Sequence, residues 1–386
     1  MKFRPGNAVQ LLENGDRFFP VLERAINEAK QEIYLETYIF EADATGLRIA
    51  DALMHAARRG VAVHVLVDGF GSRLLPEALK NQMLKAGVWL LVFRPEISSW
   101  RLRRHRLRRL HRKIAVIDGR VGFCGGINII DDRNTPKQVP PRYDYTVRVE
   151  GPIVSDMHTA ARQLWTRVTW THFKQAWRAR SHVRPVARAA GTQTAAFLVR
   201  DNFRHRRDIE EAYLDSIVGA REEIVIACAY FLPGKRFRRA LCEAAQRGVR
   251  VILLLQGKVE YLLLHFASHA LYRQLLEAGV IIYEYRLSFL HAKVAVVDGH
   301  WATVGSSNLD PFSILLAREA NVVVEDRFFS RQLRESLGSA IATGATLVAR
   351  EAWRPPLPMR IANWLAYGLV RLVMGLSGYA RRMEYA

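Results

Sequence analysis

Two short strings in this sequence are built alike, and both hold residues suited to acid–base and electrostatic chemistry. The first is His111-Arg-Lys113-Ile-Ala-Val-Ile-Asp118-Gly, and the second is His291-Ala-Lys293-Val-Ala-Val-Val-Asp298-Gly. Each runs on to an asparagine, Asn128 and Asn308, at the same offset of 17 (128 − 111 = 308 − 291). The second copy has Ser306 ahead of its asparagine where the first has Gly126. One imidazole cannot both attack a phosphodiester phosphorus and protonate the oxygen departing from the opposite side, so in-line displacement calls for two. Lysines are compact cations for the non-bridging oxygens, and asparagines add neutral donors there. A lone strand histidine is ordinarily a packed core residue. Two at repeat-equivalent positions, each followed by lysine, indicate one phosphoryl-transfer site assembled from two halves.

The elements that carry these residues follow from local pattern. Lys113-Ile-Ala-Val-Ile and Lys293-Val-Ala-Val-Val are apolar on both faces, as in central buried strands. Asp118-Gly119 and Asp298-Gly299 are hairpin-turn dipeptides. A two-residue turn at the first would set Gly126 opposite His111 and bring Asn128 to the site mouth. The two aspartates then lie at the far end of each hairpin, where structural support ranks ahead of chemistry. The repeat extends upstream: Ala57-Arg-Arg-Gly-Val61 answers Ala245-Gln-Arg-Gly-Val249, and Leu84-Lys-Ala-Gly-Val88 answers Leu276-Glu-Ala-Gly-Val280. Helices alternate with short apolar strands, which gives an α/β class with both sheet faces covered. The expected division is a first α/β domain over 1–177, a linker over 178–193, a second α/β domain over 194–350 and a C-terminal tail over 351–386. His55, His64, His158 and Glu36 read as packing or surface residues.

The formal charge of +20 and pI of about 10.3 select polyanions or an anionic membrane surface as partners. A basic insertion over Arg101–Arg109 abuts His111, where an anionic substrate or surface would meet it. In the tail, Arg360, Arg371 and Arg382 form one stripe of an amphipathic helix. Ile361, Leu365, Leu369, Leu372 and Leu376 lie on the other side, suited to lying on a membrane surface. Neither a signal peptide nor a transmembrane helix is expected. Cys124, Cys228 and Cys242 have no CxxC spacing and read as reduced core thiols in a cytosolic compartment. No metal-ligand spacing and no Gly-rich phosphate loop is present, so neither metal nor nucleotide cofactor is expected.

At the two HxKxxxxD strings the sequence resembles the phospholipase D superfamily. Leu11-Leu-Glu-Asn-Gly15, Val149-Glu-Gly-Pro152 and Trp301-Ala-Thr-Val-Gly-Ser-Ser-Asn-Leu-Asp310 bring it near the B-type branch of the bacterial cardiolipin synthases. The resemblance implies two similar α/β/α sandwiches forming a pseudo-dimer with the site between them. It implies a catalytic set of His111, Lys113, Asp118, His291, Lys293 and Asp298, with His111 the nucleophile and His291 the general acid and base. Asn128, Asn308 and Ser306 would bind the substrate phosphate. Family members also carry a carboxylate some 30 residues after each histidine that orients the imidazole, and Asp144 and Glu319 occupy that place. The implied function is a cardiolipin synthase, peripheral on the cytoplasmic face of the membrane. It would transfer the phosphatidyl group of one phosphatidylglycerol to another and release glycerol. The alternative is a superfamily phosphodiesterase acting on nucleic acid, separated from the first by a preference for DNA over lipid vesicles. The acceptor alcohol and the oligomeric state are left open.

Overall fold

The structure, a computed structural model, describes residues 1–94, 108–135, 138–171, 183, 185, 188–201, 205–259, 261–310, 317–351, 353 and 355–376. The expected basic loop up to residue 107, half of the expected linker and the last ten residues, with Arg382, lie outside them.

The first half runs β1 (Arg4–Glu13), α1 (Asn14–Glu28), β2 (Glu32–Thr37), α2 (Ala44–Arg58), β3 (Ala62–Asp68), α3 (Glu77–Lys85) and β4 (Trp89–Phe93). It continues with β5 (Arg109–Leu110), β6 (Lys113–Ile117), β7 (Val121–Gly125), β8 (Arg142–Tyr143), β9 (Tyr145–Glu150) and α4 (Val154–Thr171). The second half repeats the order as β10 (Gln193–Arg200), α5 (Asp208–Gly219), β11 (Glu223–Cys228), α6 (Lys235–Gln246), β12 (Arg250–Gln256), α7 (Leu262–Glu277) and β13 (Ile281–Tyr285). Then come β14 (Phe289–Leu290), β15 (Lys293–Val297), β16 (Trp301–Gly305), β17 (Ala317–Glu325), α8 (Arg327–Gly344), β18 (Ala345–Leu347) and α9 (Leu357–Leu376). The Arg-Gly-Val and Ala-Gly-Val junctions end their helices as the pattern requires. Gly60, Gly87, Gly248 and Gly279 sit at φ of 92°, 94°, 91° and 94°, a region where a Cβ is costly.

The halves share one sheet, ordered β18-β13-β12-β11-β15-β16-β17-β10-β1-β9-β7-β6-β2-β3-β4. Read outward from the antiparallel β1–β10 pair, the two wings match strand for strand as far as β4 and β13, with β18 added beyond β13, so a pseudo-twofold passes between β1 and β10. Alternate side chains divide the strands between two faces. On one face Tyr34, Ile114, Val225 and Val294 join Trp165 of α4 and Phe329 and Leu333 of α8 in a core that spans both halves. On the other, Ile33 and Ala115 pack with α1–α3, while Ile224 and Ala295 pack with α5–α7. This is the expected pair of α/β/α sandwiches, fused edge to edge. The cysteines are buried and unbridged, as expected.

Two details correct the expected geometry. The β6–β7 hairpin pairs Ile117 with Val121 and Lys113 with Gly125, and β15–β16 pairs Val297 with Trp301. A three-residue link replaces the two-residue turn: Asp118 and Gly119 take φ of 51° and 58°, and Arg120 adds one residue before the ladder resumes. The return strand is therefore shifted by one position, and residue 127, not Gly126, continues the register opposite His111. The second detail lies at the tail. Helix α9 packs on α7 through Asn363, Ala366, Tyr367 and Val370, with Val370 1% exposed and the Tyr367 hydroxyl accepting from Arg238 at 3.2 Å. Its Leu-rich stripe faces outward instead: Ile361, Trp364, Leu365, Leu369 and Leu372 are all exposed, Leu365 by 69%. No described helix is long and apolar enough to cross a membrane.

Candidate active site

Each histidine is held by a dipeptide strand that leaves its own half. β5 pairs parallel with β17, Arg109 beside Ala317 and Leu110 beside Arg318. β14 pairs parallel with β8, Phe289 beside Arg142 and Leu290 beside Tyr143. The ladders end on the histidines themselves. His111 N–H donates to Arg318 C=O at 2.9 Å, and His291 N–H donates to Tyr143 C=O at 2.8 Å. The next residues in the partner strands are Glu319 and Asp144, so each imidazole meets a carboxylate.

The pairing is crossed. His111 Nδ1 lies 2.9 and 3.1 Å from the two Glu319 oxygens, and His291 Nδ1 lies 2.6 Å from Asp144 Oδ2. The carboxylate that follows each histidine in sequence orients the histidine of the other half. With Nδ1–H on the carboxylate, Nε2 of each ring is the atom left for substrate. Lys113 Nζ donates to the His111 carbonyl at 2.7 Å, Lys293 Nζ donates to the His291 carbonyl, and Lys293 Nζ lies 3.9 Å from Asp144 Oδ2. Both lysines are buried.

The electrostatics of the two pairs differ. Burial pushes the His111 imidazole down to about 4 against the pull of Glu319, so it is neutral near pH 7 with a free Nε2 lone pair. Burial would lift Glu319, but His111, Arg200 and Lys113 outweigh it and hold the carboxylate below its ordinary range. Arg200, from β10, stands 3.7 Å from Glu319. On the other side burial lifts Asp144 to about 6 against Lys293, and burial followed by Lys293, Arg142 and Lys113 lowers His291. Burial, aided by Lys293, brings Lys113 down to about 7. His111 and Lys113 both contribute to the lowering at His291, so the two motifs share one electrostatic site.

Ser306 and Gly126 are where the halves diverge. The Ser306 hydroxyl donates to Glu319 and accepts from Ala320 N–H at 3.1 Å, and the residue is fully buried. It steadies the carboxylate. A Cβ on Gly126 would lie 2.3 and 2.4 Å from the Asp144 oxygens, so no side chain fits there. Asp144 instead accepts from Tyr145 N–H at 2.8 Å. Asn14, at φ 58°, donates its N–H to Asp144 C=O at 2.8 Å and accepts Asp144 N–H on its side chain at 3.0 Å. Asn128 is buried, and its Oδ1 accepts from Ile39 N–H at 3.1 Å, which leaves the amide NH2 for other partners. Asn308 is buried at the equivalent place.

Asp118 and Asp298 do not join the site. Asp118 accepts from the backbone N–H of Lys30, Gln31 and Glu32 at 2.8, 2.8 and 2.9 Å, and Asp298 accepts from Arg221, Glu222 and Glu223 at 2.9 Å each. Each pins the start of the neighbouring strand, seven residues or about 23 Å of extended chain from its histidine. Sequence reasoning missed Arg200, Asn14, Asp68 and Gln256. Asp68 accepts Leu110 N–H at 2.8 Å and Gln256 accepts Leu290 N–H at 3.0 Å, each fixing the residue before a histidine. The available signal was a polar residue closing an apolar strand in both halves. Tyr38 also went unnoticed, its ring edge-on to His111 at 4.9 Å.

His158 bonds Glu32 at 2.5 Å, His64 stacks on Tyr34 at 4.4 Å, Glu36 holds the buried Arg112, and His55 bonds Asp51 C=O at 2.9 Å. Among the described residues no three His, Cys, Asp or Glu side chains gather closely enough to hold a metal ion.

The family described as "Cardiolipin synthase, PLD-like domain" matches residues 22–165 and 213–340. Cardiolipin synthase B of Escherichia coli (strain K12) is 41% identical over 366 residues, covering 91% of this chain and 86% of that protein. Cardiolipin synthase B of Salmonella typhimurium (strain LT2) is 43% identical over 349 residues, covering 88% and 81%. The crystal structure of phosphatidylserine synthase from Haemophilus influenzae Rd KW20 superposes with a TM-score of 0.68 over 94% of this chain and 93% of that one. At 14% identity that likeness concerns the fold.

Proposed function

The chain belongs to the phospholipase D-like family of cardiolipin synthases, and from that premise we propose that it joins two phosphatidylglycerol molecules through a phosphohistidine on His111. The crossed imidazole–carboxylate pairs carry the reading, because they give one neutral nucleophile and one proton carrier across a single site. In the first step the His111 Nε2–P bond forms while the bond from phosphorus to the headgroup oxygen breaks. The Asp144–His291 pair enters this step with one proton beyond the Nδ1–H, carried on His291 Nε2, which passes it to that oxygen, and glycerol leaves. In the second, the hydroxyl of another phosphatidylglycerol returns a proton to His291 as its oxygen bonds phosphorus and the P–N bond breaks. Glu319, held ionised, stabilises the cationic ring that His111 becomes. The Asp144–His291 pair, whose carboxylate lies near 6, holds and releases the travelling proton. Lys113 and Lys293 carry the non-bridging oxygens, and Asn128 and Asn308 add neutral donors. One phosphodiester is exchanged for another, so the bond energy is conserved and no nucleotide is required.

The two units act from the lipid surface, with 1–177 and 194–350 each supplying half of the site. The outward Leu stripe of α9, with Trp364 beside it and Arg360 and Arg371 exposed, suits the headgroup boundary of an anionic leaflet on the cytoplasmic face. The test is purified protein on phosphatidylglycerol vesicles without nucleotide, with products resolved by mass. Cardiolipin and free glycerol in equal amounts are the expected outcome. Phosphatidic acid alone, or cleavage of DNA in preference to lipid, would refute the proposal.

A further inference from the structure

The halves are unequal beside their histidines. In the first, Asp68 closes β3 and its carboxylate is fully engaged, accepting from Phe70, Gly71 and Leu110 N–H at 2.8, 3.1 and 2.8 Å. In the second, Gln256 closes β12. Its Oε1 accepts from Leu290 N–H, but its Nε2 is buried with no hydrogen-bond partner. Gln256 opens on a cavity that Lys258, Tyr230, His265 and Ser268 also line. Its wall is tied to the two residues that bracket His291 in the chain. Gln256 holds Leu290, and Ala229, also in the wall, donates its N–H to Ala292 C=O at 3.0 Å.

The chemistry of this wall favours an anion. Lys258 is half-buried and makes no ion pair among the described residues. The carboxylate behind the cavity is Glu284, and it is already matched: Arg286 at 2.6 Å, His269 at 3.1 Å and Tyr272 at 3.3 Å all engage it. A buried amide donor without a partner, in one wall with a cation that makes no ion pair among the described residues, is incomplete until an acceptor arrives.

We propose that this cavity is the subsite for the acceptor lipid's own phosphodiester, held by Lys258 and Gln256. The inference rests on the proposed transfer between two phosphatidylglycerols and names where the second one binds. Whatever alcohol attacks the phosphohistidine must enter on the side of His291, because His291 takes its proton. In phosphatidylglycerol that hydroxyl sits one glycerol unit from a second phosphate. Lys113 and Lys293 are engaged with the phosphoryl group in transfer, so the second anion needs a separate cation. Asp68 in the first half would repel it, which assigns the second-half cavity to the acceptor and breaks the pseudo-twofold symmetry in a functional sense. The subsite favours an anionic lipid acceptor over water or a free neutral alcohol, since selectivity is a difference between two affinities.

The full chain is presented with mixed phosphatidylglycerol and phosphatidylcholine vesicles and labelled glycerol in the buffer. One phosphohistidine then partitions between two products, cardiolipin from the lipid acceptor and labelled phosphatidylglycerol from free glycerol. Lys258→Met lowers the ratio of cardiolipin to labelled phosphatidylglycerol by about tenfold, the worth of one hydrogen bond to a charged group. Lys258→Arg, which keeps the cation, stays near the wild-type ratio. A partly misfolded variant loses both products together, so the ratio still reads the subsite. A wild-type ratio in Lys258→Met overturns the subsite and leaves the proposed function standing. Failure of the wild-type chain to make cardiolipin overturns that function instead.

Discussion

Exchanging each carboxylate for its amide separates the crossed arrangement from a pairing within each half. Glu319→Gln removes a charge from two contacts of 2.9 and 3.1 Å to His111, and Asp144→Asn removes one from a contact of 2.6 Å to His291. A carboxylate about 4 Å from the centre of an imidazolium, at an effective dielectric of about 20, stabilises it by roughly 4 kcal/mol. The amide keeps a hydrogen bond but can donate to Nδ1, which holds the ring in the wrong tautomer. A loss of about 10²–10³ in turnover is therefore expected for each variant, at about 1.4 kcal/mol per decade. The step affected differs. Glu319→Gln slows attack by His111, so no adduct builds up after rapid quench. Asp144→Asn weakens His291 both as acid for the departing oxygen and as base for the incoming hydroxyl, so with a substrate whose leaving group needs no proton a phosphatidyl adduct mapped to His111 accumulates. Acid quench followed by peptide mass mapping reads both outcomes. Accumulation in Glu319→Gln and not in Asp144→Asn would refute the assignment of roles, and rates within a few-fold of wild type in both would remove the carboxylates from the mechanism.

Other outcomes follow from the same coordinates. Gly126→Ala drives a methyl into the Asp144 carboxylate and lowers turnover about 100-fold, whereas Ser306→Ala removes one of several supports of Glu319 and costs about tenfold; steady-state rates compare them. Leu365, Leu369 and Leu372 changed together to Glu leave the melting temperature near wild type because all three are exposed, but weaken binding to anionic vesicles by roughly 100-fold at half-burial of each leucine, as sedimentation would show. Lys113→Met abolishes turnover yet raises the melting temperature by a few degrees. The folded ammonium is lowered to about 7, so charging it opposes folding throughout the range below its unfolded value; the gain is largest at pH 6 and shrinks as pH rises through 9, which calorimetry at both pH values checks.

The strands beneath the histidines were legible because Lys113-Ile-Ala-Val-Ile and its repeat are apolar on both faces, and a polar exception that recurs in both copies is conspicuous. The class of fold followed from the same alternation. The β1 strand was not legible, since Pro5, Gly6 and Asn7 read as breakers although the strand joins the two wings of the sheet. Nor was β10, whose start at Gln193 lay inside the stretch read as linker. The one-residue shift of the hairpins escaped because Arg120 and His300 carry no local mark of being extra. The crossed pairs had no signal at all along the chain: His111 and Glu319 are 208 residues apart, and a contact between repeats looks the same in sequence as one within a repeat. Asp118 and Asp298 were legible as support from their position beyond the strand, despite their place in the motif.

The exchange of β5 and β14 between the halves also fixes when the protein first becomes competent during translation. The proposed nucleophile His111 emerges early, but its carboxylate, Glu319, follows 208 residues later. The proposed proton carrier His291 finds Asp144 already made, so its own pair closes first. A ribosome-bound fragment containing the first motif alone thus has neither an oriented nucleophile nor a general acid. It cannot form a phosphatidyl adduct on the nascent chain or leak it to water as phosphatidic acid. On the proposed function, order of synthesis acts as a safeguard for the lipid substrate.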